Sequence, residues 1–290
     1  MPAITGKTTL TGIIGFPVSH SLSPVMHNAA FAALGLEWAY LPFAVAPQRL
    51  GQAVAGLSAL GVAGFNVTIP HKVAIVPLLD RISPEAELIG AVNTVALRDG
   101  VLTGFNTDGI GLLAALSGKL GFCARGRSVL VLGAGGAARS AVAALAGAGA
   151  ARVDVANRSQ EKGGALVRSL AQRLPGTGLC AHSLERLAEP SYLNSFDLIV
   201  NTTSVGMAGD SFPGLELSGL KRELAVYDMV YAPPVTPLLA RARACGLAAA
   251  NGIGMLVAQG EAAFAIWTGV APPEGCMEQA VGAAGQAGIP

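Results

Sequence analysis

Short apolar runs alternate with stretches whose apolar positions recur every three or four residues, and the alternation persists along nearly the whole chain. A short apolar run bounded by glycine, proline or polar clusters reads as a buried strand, and the longer period reads as an amphipathic helix. Strands are thus expected over 10–15, 38–45 and 64–67, with helices over 24–34 and 48–60 between them. Asp99-Gly100 separates Val95-Ala96-Leu97 from Val101-Leu102-Thr103 and favours the positive φ angles of a two-residue hairpin. A helix over 109–120, a strand over 128–132, an alanine-rich helix and a strand over 152–156 follow. Further strands are expected over 196–200 and 225–229, then a long apolar helix over 255–267 with Gly252 and Gly254 loosening its start. The tail beyond Ala271, rich in glycine, alanine and proline, is expected to be partly disordered. Such alternation predicts parallel α/β layers. The antiparallel hairpin marks the first part of the chain as something other than a plain dinucleotide-binding half.

Composition narrows the classes. At 290 residues the chain suits two domains, each able to bury a core. Charged residues are 13% and the net charge is +1, so no nucleic-acid partner is expected. A mean hydropathy of +0.53 comes from alanine, leucine and valine in periodic segments. Arg139 and Ser140 interrupt the best candidate for a membrane span, so no membrane partner is expected either. The first residues lack the apolar core of a signal peptide, which leads to the expectation of a cytoplasmic protein, or one of a plastid-like stroma. Cys123, Cys180, Cys245 and Cys276 have no paired spacing, and neither His20 nor His27, of four histidines in all, shows ligand company. Thiols in a reducing compartment are expected, with no disulfide frame and no metal site.

The segment after Val131-Leu132 reads Gly133-Ala134-Gly135-Gly136-Ala137-Ala138. A strand feeding a tight glycine turn and then a helix aims backbone N–H groups at a pyrophosphate. With 38 glycines the pattern also arises by chance, as in Gly109-Ile110-Gly111-Leu112-Leu113-Ala114, which no apolar run precedes and which reads as a helix start. A Gly/Ala-rich structural turn is the bland alternative at Gly133. At the end of the next strand stand Asn157-Arg158-Ser159, with Lys162 one helical turn on. An NAD enzyme usually carries an acidic residue here for the ribose 2′-OH, whereas Arg158 can grip a 2′-phosphate as a fork and Lys162 adds a point charge. Ser159 also reads simply as an N-cap beside solvated cations. Cations oppose the dipole of a first helical turn, which favours a ligand charge and hence NADP over NAD.

Other polar segments admit two readings each. In Asn66-Val67-Thr68-Ile69-Pro70-His71-Lys72, Pro70 suits a first helical position, placing Lys72 in a first turn where the dipole would favour proton release. An exposed lysine in an ordinary turn is the alternative. Asn106-Thr107-Asp108-Gly109 holds either a plain N-cap or a dipole-stabilised carboxylate able to hold Lys72 and a substrate hydroxyl. Asn93 in Gly90-Ala91-Val92-Asn93-Thr94 is similarly open. Ser23 before Pro24 reads as an N-cap, and with Ser21 it also offers two hydroxyls to a carboxylate. The segment from Asn201 to Met207, with Thr203 and Ser204, is either a polar turn or a flank of a nicotinamide.

In this order the segments resemble the shikimate dehydrogenase family. The resemblance runs from His20-Ser21-Leu22-Ser23-Pro24 through the Asn66, Gly90, Asn106, Gly133 and Asn157 segments. It continues with Tyr231, Thr236-Pro237-Leu238-Leu239 and Gly252 to Gln259. It implies an α/β protein of two domains with a cleft between them. An N-terminal substrate domain over 1–108 would precede a Rossmann-type NADP domain over 109–251, and a helical return over 252–290 would rejoin the first. The implied activity is reversible reduction of 3-dehydroshikimate to shikimate with NADPH, in chorismate and aromatic amino-acid biosynthesis. Lys72 and Asp108 would be catalytic. Ser21, Ser23 and Tyr231 would hold the carboxylate, and Asn66, Thr68, Asn93 and Gln259 the hydroxyls. The cofactor would lie on Gly133, Ala134, Gly135, Gly136 and Ala137, with Asn157, Arg158, Ser159 and Lys162 at its adenosine end and Thr203, Ser204, Met229 and Gly252 near its nicotinamide. Ser159, Lys162 and Ala232 depart from residues frequent in the family without removing an implied catalytic group. A homodimer is compatible with this reading. Two alternatives stand beside it: a quinate/shikimate dehydrogenase using NAD(P), and a non-catalytic NADP-sensing relative.

Overall fold

Asp99 and Gly100, at φ 51° and 77°, close the expected hairpin tightly between two antiparallel strands. In this computed structural model, which describes residues 4–286, the chain divides into two units. The first holds the described residues up to Thr107 together with those from Leu256 onward; the second is Asp108–Met255.

The first unit contains β1 (Thr9–Gly15), α1 (Ser23–Ala33), β2 (Trp38–Ala44), α2 (Leu50–Ala59), β3 (Gly64–Val67), β4 (Arg81–Ile82), α3 (Pro84–Ile89), β5 (Thr94–Arg98) and β6 (Val101–Phe105). Its six strands lie in the order β2-β1-β3-β5-β6-β4, with β1 parallel to β2 and β3 and with β5 antiparallel to both neighbours. Local chemistry sets α3: Ser83 accepts a hydrogen bond from the Ala86 N–H, Pro84 follows, Glu85 and Glu87 lie in the first turn, and Gly90 ends it at φ 69°. Phe65, Val67, Val95 and Leu102 pack with Val54 and Leu57 of α2 in one core.

The second unit contains α4 (Asp108–Leu120), β7 (Ser128–Leu132), α5 (Gly136–Gly147), β8 (Arg152–Asn157), α6 (Gln160–Ala171), β9 (Gly178–Ser183), α7 (Pro190–Leu193), β10 (Leu198–Asn201), β11 (Ala225–Asp228), α8 (Pro237–Ala244) and β12 (Ala248–Asn251). All six strands are parallel, in the order β12-β11-β10-β7-β8-β9. Along β7 the side chains alternate between two cores: Val129 and Val131 face one, Leu130 and Leu132 the other. That is why the strand reads as an unbroken apolar run. The strand order reverses between β7 and β10, where open α/β sheets bind ligands at the carboxyl ends of their strands.

The long helix α9 (Ile253–Thr268) crosses the division between the units, and α10 (Cys276–Gln286) follows it. The latter corrects the expectation of a partly disordered tail. Met277, Val281 and Ala284 recur at helical spacing and are buried, and α10 packs on α1. An apolar stripe so diluted by small residues is easily read as low complexity. Residues 287–290 lie outside the described part.

Candidate active site

The glycine turn sits at the end of β7. The Gly133 N–H donates to the Ala156 carbonyl (2.9 Å). Its φ is 115°, and a Cβ there would lie 2.6 Å from Thr202 Oγ1 and 2.8 Å from Thr203 Cγ2, so both backbone and space call for glycine. A Cβ at Gly135, by contrast, would meet nothing within 4 Å. Gly135 is the exposed cap of α5 and, having no side chain, gives the helix's first N–H groups no side-chain cap. Open space at a helix start whose cap residue has no side chain suits a pyrophosphate. Ala134 packs against the adjoining core, and Gly136 and Ala137 form the first turn of α5. The competing match at Gly109 lies inside α4, where Gly109 lets Ala144 of α5 come close.

At the end of β8 the Asn157 amide donates to the Ser159 carbonyl (2.9 Å), and Ser159 caps α6 by accepting from the Lys162 N–H. Arg158 and Lys162 are exposed. Both bland expectations for Ser159 and the cations thus hold locally, and they leave the two charges exposed at the end of β8.

A buried polar cluster anchors the neighbouring strand ends. Asp228 accepts from the Asn201 amide (2.8 Å), the Thr236 hydroxyl (2.6 Å) and the Val230 N–H (3.0 Å). Burial pushes its carboxyl up, and those three donors partly offset the rise. Asn201 Oδ1 in turn accepts from the Thr203 N–H and hydroxyl, fixing the Thr203-Ser204 turn. Met229 follows Asp228 and donates its N–H to Asn201 O (2.9 Å), while Gly252 abuts the Met229 carbonyl so closely that no Cβ would fit. Tyr231 is half-buried beyond it.

Asp108 opens α4, buried, with Oδ2 3.5 Å from the Ser140 hydroxyl of α5. Its place at a helix start favours negative charge. Lys72 is different. The residues after Pro70 form successive turns and no α-helix: His71 donates to Thr68 O, Ile75 to His71 O and Leu78 to Ile75 O. Without aligned peptides there is no macrodipole, so the dipole argument for Lys72 does not apply. Instead its carbonyl accepts from the Val92 N–H (2.8 Å), tying the half-buried Lys72 to the residue before Asn93.

Ser23 is likewise not the cap of α1 but its first residue; Leu22 occupies the cap, and Ser21 Oγ accepts from the Ser23 N–H (3.3 Å). Pro within the first turn moved the boundary by one residue. Asn66 and Asn93 meet in one network with Gln259, and Thr68 lies one residue beyond β3. The Asn66 amide donates to Asn93 O (3.1 Å) and to Thr94 Oγ1 (3.0 Å), and the Asn93 amide donates to Gln259 Oε1 (3.3 Å) and Thr107 Oγ1 (2.9 Å).

Sequence reasoning missed Tyr40, whose hydroxyl donates to Asn66 Oδ1 (2.7 Å), together with Thr94 and Thr107. Tyr40 lies in β2 beside the buried Ala39 and reads as an ordinary core aromatic. Its ring stacks on His27 (4.5 Å, 9°), which lies among Phe31, Phe264 and Trp267 with both ring nitrogens lacking a partner. Burial pushes the His27 imidazole down to about 3.

Asp154, Cys180 and His182 bring possible ligand atoms within 4.8 Å of one another. The Asp154 carboxylate already receives the Arg152 guanidinium on both oxygens and the Tyr192 hydroxyl (3.2 Å), and His182 Nε2 stands 2.8 Å away. A carboxylate so compensated is an ion network inside the sheet edge, and a second cation there would face Arg152. Among the described residues no helix is long and apolar enough to cross a membrane.

A parallel sheet with a glycine turn at the reversal point, and exposed cations at the end of the next strand, has the architecture of the dinucleotide-binding α/β class. Comparison with known proteins narrows this. Family models described as shikimate dehydrogenase substrate binding domain, shikimate / quinate 5-dehydrogenase and shikimate 5′-dehydrogenase C-terminal domain match residues 13–95, 117–207 and 252–281. A shikimate dehydrogenase (NADP(+)) of Geobacter sp. strain M21 is 70% identical over 280 residues, 97% of each chain. The shikimate 5-dehydrogenase of Thermus thermophilus, solved with NADP(H) and shikimate, is 39% identical at a TM-score of 0.79, covering 95% of this chain and 99% of its own. A quinate dehydrogenase of Corynebacterium glutamicum, solved with NAD, is 29% identical at 0.86 over 95% of this chain and 99% of its own. The chain belongs to the shikimate dehydrogenase family.

Proposed function

We infer that this protein is an NADP-dependent shikimate dehydrogenase, reducing 3-dehydroshikimate reversibly to shikimate in the route to chorismate and the aromatic amino acids. The observation that carries this reading is the 70% identity to a relative of that name across nearly the full length of both chains. The first unit serves as the substrate-binding part and the second as the NADP-binding part.

The proposed chemistry is a balanced ketone reduction. Bound NADPH would supply the hydride that the C3 carbonyl carbon accepts, becoming NADP+, and Lys72 gives a proton to the C3 oxygen, leaving a secondary alcohol. Negative charge grows on that oxygen in the transition state, and an ammonium is suited to meet it. Asp108 is the other member of the catalytic pair, its carboxylate holding a ring hydroxyl. Ser21, Ser23 and Tyr231 take the carboxylate of the substrate; Asn66, Thr68, Asn93 and Gln259 take its hydroxyls. A site that hydrogen-bonds hydroxyls rejects analogues without them by about 10⁴-fold. Gly133 to Ala137 would hold the pyrophosphate of NADP, and Arg158, Lys162 and the Asn157-Ser159 turn its 2′-phosphate. Thr203, Ser204, Met229 and Gly252 would border the nicotinamide.

Initial rates of shikimate oxidation with NADP+ and with NAD+, and of quinate oxidation with each, test the reading. A strong preference for shikimate and NADP+ is expected. Preference for quinate with NAD+ would move the protein to its quinate-oxidising relatives, and NADP binding without turnover would make it a sensor. Cytoplasmic location, with a plastid-like stroma as the alternative, and a homodimer are the setting and assembly to test, the latter by light scattering.

A further inference from the structure

We propose that Tyr40 is a positioning residue: its phenol holds the Asn66 amide so that this side chain meets a substrate only as a hydrogen-bond acceptor. The inference rests on the substrate reading above and goes beyond it, because it assigns the direction in which one hydroxyl is read.

Asn66 has two N–H donors and an oxygen with two lone pairs. Both donors are spent inside the protein, on Asn93 O (3.1 Å) and Thr94 Oγ1 (3.0 Å). One lone pair of Oδ1 receives the Tyr40 hydroxyl at 2.7 Å. What remains is a single lone pair, which can only receive a proton. The polarity is passed along a one-way chain. Thr94 accepts from Asn66 and donates to Asn93 Oδ1 (3.1 Å), Asn93 donates to Gln259 Oε1 (3.3 Å), and Gln259 donates to Leu256 O (2.7 Å) in its own helix. Turning the Asn66 amide over would set its oxygen against the Asn93 carbonyl and withdraw the acceptor from Tyr40. Tyr40 is itself fixed: fully buried, stacked on His27 and tilted against Trp267, whose indole donates to Val95 O (2.9 Å). An acceptor-only Asn66 favours a hydroxyl over a fluorine or a carbonyl at the same ring position, since neither of those has a proton to give.

The test compares the wild-type enzyme with Tyr40→Phe, which keeps the ring and its stacking. It uses shikimate and the deoxyfluoro shikimates carrying fluorine at each ring hydroxyl that does not react. Steady-state kinetics are combined with calorimetric binding of each compound. For Tyr40→Phe the KM for shikimate is expected to rise about tenfold, the worth of one hydrogen bond, with kcat within about twofold and the KM for NADP+ unchanged. Wild type should disfavour one fluoro analogue by about tenfold or more, and the variant should lose most of that discrimination. Thr94→Val, which releases an Asn66 N–H, should erode the same ratio and serves if Tyr40→Phe does not fold. Unchanged discrimination in folded variants of an active enzyme would overturn the role of Tyr40 alone. A parallel fall in kcat and melting temperature without a change in the ratio would reduce it to packing. Wild type that neither binds nor oxidises shikimate would remove the substrate reading and this inference with it.

Discussion

At the scale of single residues, chemistry and packing separate cleanly. Lys72 reaches its position through a backbone bond to Val92 in a run of turns, so its proposed role rests on its ammonium and not on a helix field. Lys72→Ala is expected to lower shikimate turnover by about two to four decades, the usual range for general acid–base groups, as read from kcat at saturating NADP+. Arg158 is exposed and its neighbours are bonded among themselves, so its loss should spare the fold. Arg158→Ala should raise the KM for NADPH by about tenfold and leave that for NADH nearly unchanged, since only NADPH carries the 2′-phosphate that a fork of donors can grip. Equal effects on both coenzymes would move the 2′-phosphate elsewhere. Lys72, Asp108 and Arg158 are proposed from residue type and place in the sequence. Those signals could not find Tyr40, because a buried tyrosine announces itself as core until its hydroxyl has a partner.

At the scale of elements, the turn from β7 into α5 divides folding from binding. Gly133 needs glycine on two counts, its φ of 115° and the threonines that leave no room for a Cβ. Gly133→Ala should therefore cost about 1–3 kcal/mol of stability, seen as a lower midpoint in urea unfolding. Gly135→Ala should unfold at nearly the wild-type midpoint, because a Cβ there meets nothing within 4 Å. The same methyl would stand in the space offered to the pyrophosphate, so the Kd for NADP+ should rise about tenfold or more. A Gly135→Ala protein that binds NADP+ normally would empty the cradle of its assigned role. Long or strongly apolar elements were legible from sequence, and the boundaries of β3 agree. Those missed were short or marginal: β4, β9, β12, α3, α7, α8 and α10. β4, β9 and β12 are edge strands, buried on fewer sides and therefore weakly patterned. In α10 small residues hide an apolar stripe that only its packing on α1 reveals.

At the scale of the molecule, acid stability reports on the aromatic core of the first unit. His27 is neutral when folded, its pKa held down at about 3 by burial against 6.5 when unfolded. As pH falls from 6.5 toward 3 the unfolded chain takes up a proton that the folded chain refuses, so stability must fall across that window. A single such group contributes at most about 1.4 kcal/mol per pH unit. His27→Leu should remove that component from the pH dependence of urea unfolding, and an unaltered profile would mean the imidazole is not excluded from protonation. Sequence alone determined the alternating α/β plan and the strand, glycine turn and helix at Gly133, because these are written in local pattern and glycine placement. The order of its polar motifs carried the resemblance to the family, and residue charge the preference for NADP. Tertiary structure decided what depends on partners far apart in the chain. It joined Asn66, Asn93 and Gln259 through bonds spanning as many as 166 positions, buried Asp228 beneath Asn201 and Thr236, and set a phenol against Asn66. Periodicity names the face a residue occupies; only the packed chain fixes which polar atom waits across from it.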